Sequence, residues 1–303
     1  MEQYLSLAMA SVFNYKTLSI YVPLITLCSV LFWSCIPEPL PVKGIPTLEP
    51  KIVVSSQFIP DEGLVVFVSR SLGALDAGEN SEPEELIQQL AITDATVVFI
   101  NGSERDTLIS LGNGFYGGID LNTEDNVVYE LIVSNPEFGE VNAFTKQLSF
   151  INFDDIEADI IFNEFDSLAR ITYTMNDPEE ENFYMINVQR YSSTQELTSL
   201  LNPRIFTKLF DDTKFNGQTY SETFNVLFQE FLPGDSIAVS LTNISEPYYQ
   251  YLKLRNDSRF GFSEFASEPI NFPTNVKGGL GWFNLHTPDI RLFELTDASP
   301  QEN

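Results

Sequence analysis

Residues 95–111 read ATVVFINGSERDTLISL, two short runs of β-branched and aromatic residues on either side of an Asn101-Gly102 turn. Such runs favour strands, and an Asn-Gly pair favours the tight connection of a β-hairpin. The same alternation of apolar runs with turn residues extends to both sides of this stretch. It predicts strands at 51–58, 63–71, 95–100, 106–111, 115–120, 127–133 and 142–150.

A second strand-rich region begins near Asp154 and carries the same signals. It predicts strands at 156–162, 168–175, 183–191, 219–231, 235–241, 278–285 and 290–295. The spacing of the earlier runs is typical of a sandwich of about seven strands. We therefore predict an all-β fold, with an Ig-like β-sandwich at 49–150, a second β-rich domain at 151–296 and a polar tail at 297–303.

One short helix is predicted within the second domain, over residues 245–254. Ser245 can cap its first turn. Tyr248, Tyr251 and Leu252 follow the spacing that places side chains on one face of a helix. The helix would therefore pack one apolar face against the strands around it.

The charge balance restricts the class of partner. The chain of 303 residues carries 43 Asp and Glu against 16 Lys and Arg, a formal net charge of −27. A field of this sign repels phosphate backbones, so nucleic acid is excluded as a principal partner. Both cysteines, Cys28 and Cys35, lie in the first 35 residues, so no disulfide framework is expected in the main body. An exported protein of this kind fits a bacterial envelope.

The amino terminus has the layout of a secretory signal. Residues 18–33, LSIYVPLITLCSVLFW, form an uncharged apolar run that follows Lys16. The run is shorter than the roughly 20 residues that a membrane-spanning helix needs. A cation, a short apolar stretch and a small residue together predict a signal peptide over residues 1–34, starting from Met1 or Met9.

The end of this segment resembles a bacterial lipobox, in which a small residue precedes a cysteine that becomes acylated. Ser34 and Cys35 fit the pattern, whereas Phe32 and Trp33 are bulkier than its usual residues. Several acyl chains on Cys35 would anchor the protein to a membrane, and the proline-rich residues 35–48 would form an extended tether. The alternative is a plain signal-anchor helix with an incidental cysteine.

Side chains for catalysis are scarce. His286 is the single histidine, and no Gly-x-Ser-x-Gly motif accompanies it, so a Ser–His–Asp triad is not indicated. Zinc would need several His or Cys ligands. The acidic pairs and runs at 154–155, 179–181 and 211–212 could supply calcium ligands or a glycosidase pair, but solvated turns are the default interpretation. We expect no enzyme activity, no cofactor and no metal.

Aromatic residues provide a further binding hypothesis. Tyr248, Tyr249 and Tyr251, with Trp282 and Phe283, could line a groove for a peptide or a glycan. The alternative is that they pack the core beneath the predicted helix.

Several stretches resemble a lipoprotein family widespread in Bacteroidota, the domain of unknown function numbered four-two-four-nine. The most specific is EPINFPTNVKGGLGWF at 268–283; weaker landmarks lie at 49–54, 69–71, 95–98, 115–116 and 129–131. The resemblance extends from Cys35 to about Leu285. It implies an outer-membrane lipoprotein, often encoded beside a TonB-dependent transporter of the starch-utilisation type, and it implies no catalytic residues.

The leading hypothesis is therefore a lipid-anchored accessory or substrate-binding partner of a TonB-dependent β-barrel transporter. A second hypothesis is a structural or adhesive envelope protein whose sandwich domains act as spacers and which has no transporter partner. A carboxylate-based hydrolase is the third. Surface-exposed members of this family often carry an acidic run after the lipid cysteine. Here that run is reduced to Glu38, so the sequence leaves both faces of the outer membrane open.

Overall fold

The computed structural model describes residues 49–59, 63–71, 88–117, 121, 123–162, 167–191, 206–228, 236–260 and 272–294. The predicted signal peptide, the tether with Cys35 and the polar tail lie outside these residues. In the described ranges, no helix combines the length and the apolar character needed to cross a membrane.

Strands dominate the described residues, and the prediction of an all-β fold is confirmed. The strands are β1 (Ile52–Ile59), β2 (Gly63–Arg70), β3 (Thr96–Asn101), β4 (Glu104–Thr107), β5 (Ile109–Gly112), β6 (Phe115–Gly117), β7 (Val128–Asn135), β8 (Gly139–Lys146), β9 (Asp155–Phe162), β10 (Ser167–Asn176), β11 (Phe183–Tyr191), β12 (Phe206–Asp211), β13 (Thr219–Phe228), β14 (Ser236–Ile244), β15 (Val276–Lys277), β16 (Leu280–Trp282) and β17 (Asp289–Glu294). The helix α1 spans Glu246–Phe260, six residues beyond the predicted end.

The first sandwich packs two sheets over one apolar core. Sheet I has the strand order β16-β1-β2-β6-β5, and sheet II has the order β15-β8-β7-β3-β4. Alternate residues of β7 are buried, as expected for a strand with one face on the core. The core includes Val54, Val66, Val68, Val97, Phe99, Tyr129 and Leu131.

The second sandwich consists of sheet III, with the order β13-β10-β9, and sheet IV, with the order β12-β11-β14-β17. Its core is rich in aromatic side chains, and the Phe153 and Tyr173 rings meet edge to face with centroids 5.7 Å apart. The helix α1 adds a small satellite cluster, in which Tyr249 and Leu252 pack with Met185 and Ile244.

The carboxyl-terminal residues 276–294, which we call the closing segment, add an edge strand to three of the four sheets. β15 pairs with β8 of sheet II, β16 runs parallel to β1 of sheet I, and β17 pairs with β14 of sheet IV. Val276, Phe283 and Leu285 lie in the core of the first sandwich. The predicted second domain, 151–296, includes these residues, whereas they pack in the first sandwich. Strand pairing over such a distance leaves no local signal in the sequence.

The junction between the sandwiches is hydrogen-bonded to the closing segment. The Phe153 amide donates to Asp289 Oδ2 at 2.8 Å. Arg291 donates from Nη2 to the Phe153 carbonyl at 3.4 Å and to Asp289 Oδ2 at 3.0 Å. A linker whose backbone groups are satisfied in this way is held in place. The two sandwiches lie within one compact unit, residues 48–303.

Two strand predictions need correction. Residues 106–111 were predicted as one strand, but Leu108 divides them: β4 belongs to sheet II and β5 to sheet I. The Leu108 amide donates to the Val97 carbonyl at 2.9 Å, and its side chain is buried at this crossing point. β12 was not predicted, because Lys208 faces inward and interrupts its apolar alternation.

Candidate functional site

Residues 272–283, the described part of the most specific stretch of the sequence, carry β15 and β16 and are fastened by side chains. Asn275 Nδ2 donates to the carbonyls of Phe283, at 2.7 Å, and Phe144, at 3.0 Å. Asn275 Oδ1 accepts the Phe283 amide at 2.8 Å. Thr274 Oγ1 donates to the Gly281 carbonyl at 2.7 Å. These bonds join residues 274–275, just before the closing segment, to residues 281–283 and to β8.

Two glycines let β16 lie against β1. A Cβ atom on Gly279 would lie 2.6 Å from the Ile52 carbonyl oxygen, and one on Gly281 would lie 2.0 Å from the Val54 carbonyl oxygen. Both distances are far shorter than any normal contact with a carbon atom. Gly281 also has a φ of +91°, which side chains rarely tolerate. The glycines of this stretch therefore have an architectural role.

A serine completes the attachment of the closing segment. Ser56 Oγ donates to the Asn284 carbonyl at 2.7 Å and accepts the Asn284 amide at 2.6 Å. Both residues are buried. A hydroxyl that satisfies both backbone groups of one residue takes the place of a strand partner just beyond the last pair of β1 and β16.

The predicted aromatic site divides into two parts. Trp282, Tyr248 and Tyr251 contact one another, with the Trp282 ring centroid 5.6 Å from that of Tyr248 and 5.2 Å from that of Tyr251. Phe272 meets Tyr251 edge to face at 6.2 Å and is 42% exposed. Trp282 is only 8% exposed. This cluster joins α1 to the edge strand of sheet I, and a ligand-binding role for its rim stays a prediction.

The other two predicted aromatic residues lie in cores. Tyr249 packs against Phe183 with centroids 5.0 Å apart. Phe283 is fully buried in the first sandwich, and its ring meets Phe99 edge to face at 6.5 Å. Both side chains are buried, as the alternative interpretation of core packing expects.

Buried carboxylates fasten the turns of the second sandwich. Asp212 is 2% exposed and accepts the Asn182 amide at 2.6 Å, and burial raises its pKa. Asp177, which the sequence analysis did not select, accepts the Gly217 amide at 2.8 Å and the Tyr184 hydroxyl. No group of three or more His, Cys, Asp or Glu side chains suited to a metal ion occurs among the described residues.

An ion pair closes the side of the second sandwich where β12 and β13 lie. Lys208 of β12 pairs with Glu222 of β13, and the hydroxyls of Tyr173 and Tyr220 each donate to Glu222 Oε2 at 3.1 Å. Desolvation alone would raise the pKa of Glu222, but Lys208 and the two hydroxyls outweigh it and lower that pKa. Inward charges on edge strands oppose pairing with another chain. Lys208, Glu222 and the two tyrosines therefore have a structural role between sheets III and IV.

His286 lies in the closing segment, between β16 and β17, and is half-buried. Its Nδ1 contacts the Asn284 side-chain amide, and burial lowers the pKa of the imidazole from 6.5 to about 4. The ring is therefore neutral at neutral pH. Its contact with an amide, rather than with a nucleophile, fits a structural role.

This depressed pKa predicts a pH dependence of stability. Between pH 6.5 and about 4 the unfolded chain binds the proton more tightly, so stability is full above pH 6.5 and falls as pH approaches 4. We expect the single imidazole resonance of protein without a histidine tag to titrate near pH 4 in an NMR experiment. His286→Gln should remove this part of the acid dependence of unfolding. A ring that titrates near pH 6.5 in the folded protein would contradict the assignment.

Comparison with known proteins gives one family. The family model described as "Domain of unknown function (DUF4249)" matches residues 38–289. The match begins just after Cys35 and ends at the first residue of β17. None of the curated proteins matches the chain.

Proposed function

We propose that this chain, which belongs to the DUF4249 family of domains of unknown function, is a lipid-anchored outer-membrane lipoprotein. It would serve as an accessory or substrate-binding partner of a TonB-dependent β-barrel transporter. The observation that carries the proposal is the position of Cys35. This residue lies after the apolar run 18–33 and just before residue 38, where the family match begins.

The order of features supports an anchor at this cysteine. An apolar leader, a small residue, a cysteine, a proline-rich stretch and then β1 follow one another along the chain. Each methylene of an acyl chain adds about 0.8 kcal/mol of membrane affinity, so two or more chains on Cys35 would hold the protein stably. The prolines at 37, 39 and 41 would keep the folded body away from the lipid.

The chain enters and leaves the first sandwich at opposite ends. Pro50, at the start of the first sandwich, lines the same cavity as Glu137 and Phe138 in the connection between β7 and β8. β8 then runs to the opposite end of the sandwich, a distance of about 26 Å at the usual rise of a strand. The second sandwich follows from that end.

The polar clusters do not favour a catalytic role. Glu222 is bound by one lysine and two tyrosines, Asp212 is bound by a backbone amide, and His286 contacts an amide. Groups saturated by their own protein are poorly placed to exchange protons with a substrate.

Capture from native membranes tests the partnership. The full chain with a carboxyl-terminal streptavidin-binding tag would be cross-linked in its own cells, solubilised in mild detergent and purified. We expect an outer-membrane β-barrel transporter to copurify, identified by mass spectrometry. The control is an unrelated outer-membrane lipoprotein with the same tag. Absence of a barrel, or equal recovery with the control, would contradict the partnership.

A structural or adhesive spacer is the second candidate. The Asp289–Arg291 pair at the junction favours it, because a junction fastened to the closing segment resists bending between the sandwiches. Membrane attachment without a copurifying barrel would favour this candidate over the first.

A further inference from the structure

A cavity of about 280 Å³ opens at the end of the first sandwich where β1 begins. Its apolar lining includes Pro50, Ile92 and Phe138, and its charged lining consists of Arg70, Asp94 and Glu137. Pockets for drug-sized ligands usually measure about 300–1,000 Å³, so this volume suits a smaller molecule. None of these residues belongs to the aromatic cluster or to the carboxylate turns described above.

The wall that carries the carboxylates is fixed by one buried amide. Asn135 is 5% exposed, and its Nδ2 donates to Asp94 Oδ1 at 2.8 Å. Its Oδ1 accepts the Glu137 amide at 2.9 Å and the Phe138 amide at 3.2 Å. One side chain thus fixes the Asp94 carboxylate and the backbone of Glu137 before any ligand arrives.

The wall that leads into β3 is fixed in a similar way. The buried Tyr116 hydroxyl donates to the Ile92 carbonyl at 2.8 Å and accepts the Ala95 amide at 2.9 Å. The Ile92 amide donates to the Val68 carbonyl at 3.0 Å, which fastens the wall to β2. A cavity whose walls are held by buried hydrogen bonds is preorganised, which lowers the entropic cost of binding.

The cavity is lined by charges of both signs. Arg70, on β2, is the one cation among the described lining residues, and Asp94 and Glu137 supply the carboxylates. All three residues are described, and the structure records no ion pair between Arg70 and either carboxylate. A guanidinium binds a carboxylate through two parallel hydrogen bonds, and carboxylates bind an ammonium group. The cavity is therefore complementary to a molecule that carries both groups.

We infer that this cavity binds a small zwitterion with one carboxylate and one ammonium group, the class of free α-amino acids and dipeptides. Arg70 binds the carboxylate, Asp94 and Glu137 bind the ammonium, and the apolar lining accommodates a small side chain. This inference does not depend on the lipid anchor or on a transporter. The proposed function can therefore fail while the zwitterion site holds, and the reverse.

Calorimetric titration of the full-length protein in detergent tests the ligand class. The probes are the twenty common amino acids and the dipeptide Ala-Ala. Propionate and ethylamine serve as matched compounds, because each lacks one charged group of alanine. We expect saturable binding of at least one zwitterion, and at least about tenfold weaker binding of each matched compound, the usual effect of losing a charge-assisted hydrogen bond. If no zwitterion binds, or if the matched compounds bind equally well, the inference is wrong.

Variants of the lining locate the binding. Arg70→Gln and Glu137→Gln should each weaken binding of the zwitterion at least about tenfold. Arg105→Gln, on the exposed strand β4, is the matched control and should leave the affinity unchanged. Glu137 is exposed, so its variant tests the site even if Arg70→Gln fails to fold. An affinity that Glu137→Gln leaves unchanged, or that Arg105→Gln reduces equally, would overturn the assignment to this cavity.

Discussion

Gly281→Ala is expected to lower the free energy of unfolding by more than about 4 kcal/mol, an exceptional loss for one methyl group. The added Cβ would lie 2.0 Å from the Val54 carbonyl oxygen, and the residue would keep a φ of +91°. Val54 is buried on β1, which has β16 on one side and β2 on the other, so the strand cannot move away. We expect β16 to leave sheet I and the closing segment to lose its register.

Gly112 provides a matched control for this substitution. Its φ is +92°, and a Cβ built on it meets nothing within 4 Å. Gly112→Ala therefore has the conformational cost alone, about 1 kcal/mol. Urea unfolding of both variants separates the cost of the steric clash from the cost of the positive φ. Equal losses of stability in Gly281→Ala and Gly112→Ala would show that the close approach of β16 to β1 does not support the fold.

Cys35→Ala is expected to abolish membrane attachment. Without the thiol no thioether to diacylglycerol can form, and the acyl chains that would hold the protein on the membrane are lost. Cells expressing the variant should show no incorporation of an alkyne-labelled fatty acid into the protein. The variant should also appear in the soluble envelope fraction.

Cys28→Ala is the control, because Cys28 lies within the apolar run that is predicted to be removed. It should be labelled, cleaved and attached to membranes as the wild type is. Loss of labelling in both variants, or in neither, would contradict a specific role of Cys35.

Much of the fold could be predicted where the signals are local. β11 has the predicted bounds, Phe183–Tyr191, because its apolar run lies between clear turn residues. The start of α1 likewise follows from Ser245, whose carbonyl accepts the Tyr249 amide at 2.9 Å. Turn chemistry and periodicity are properties of neighbouring residues, so they can be read from one sequence.

The remainder depends on contacts between distant residues. The glycines of the closing stretch predict a close approach, but only the pairing of Gly281 with Val54 shows which strand is approached. Lys208 resembles a surface residue until Glu222, on another sheet, is found beside it. The zwitterion cavity combines Arg70, Asp94 and Glu137 from three separate stretches, and no motif joins them.

In our proposal, one acylated thiol anchors the folded body to the membrane. Mass spectrometry of the amino-terminal peptide, from protein purified out of the membranes of a bacterium that processes lipoproteins, tests it most directly. We predict a peptide that begins at Cys35 and carries diacylglycerol on sulfur and an acyl chain on nitrogen. A free Cys35 thiol, or a peptide that still contains residues of the leader, would contradict the account.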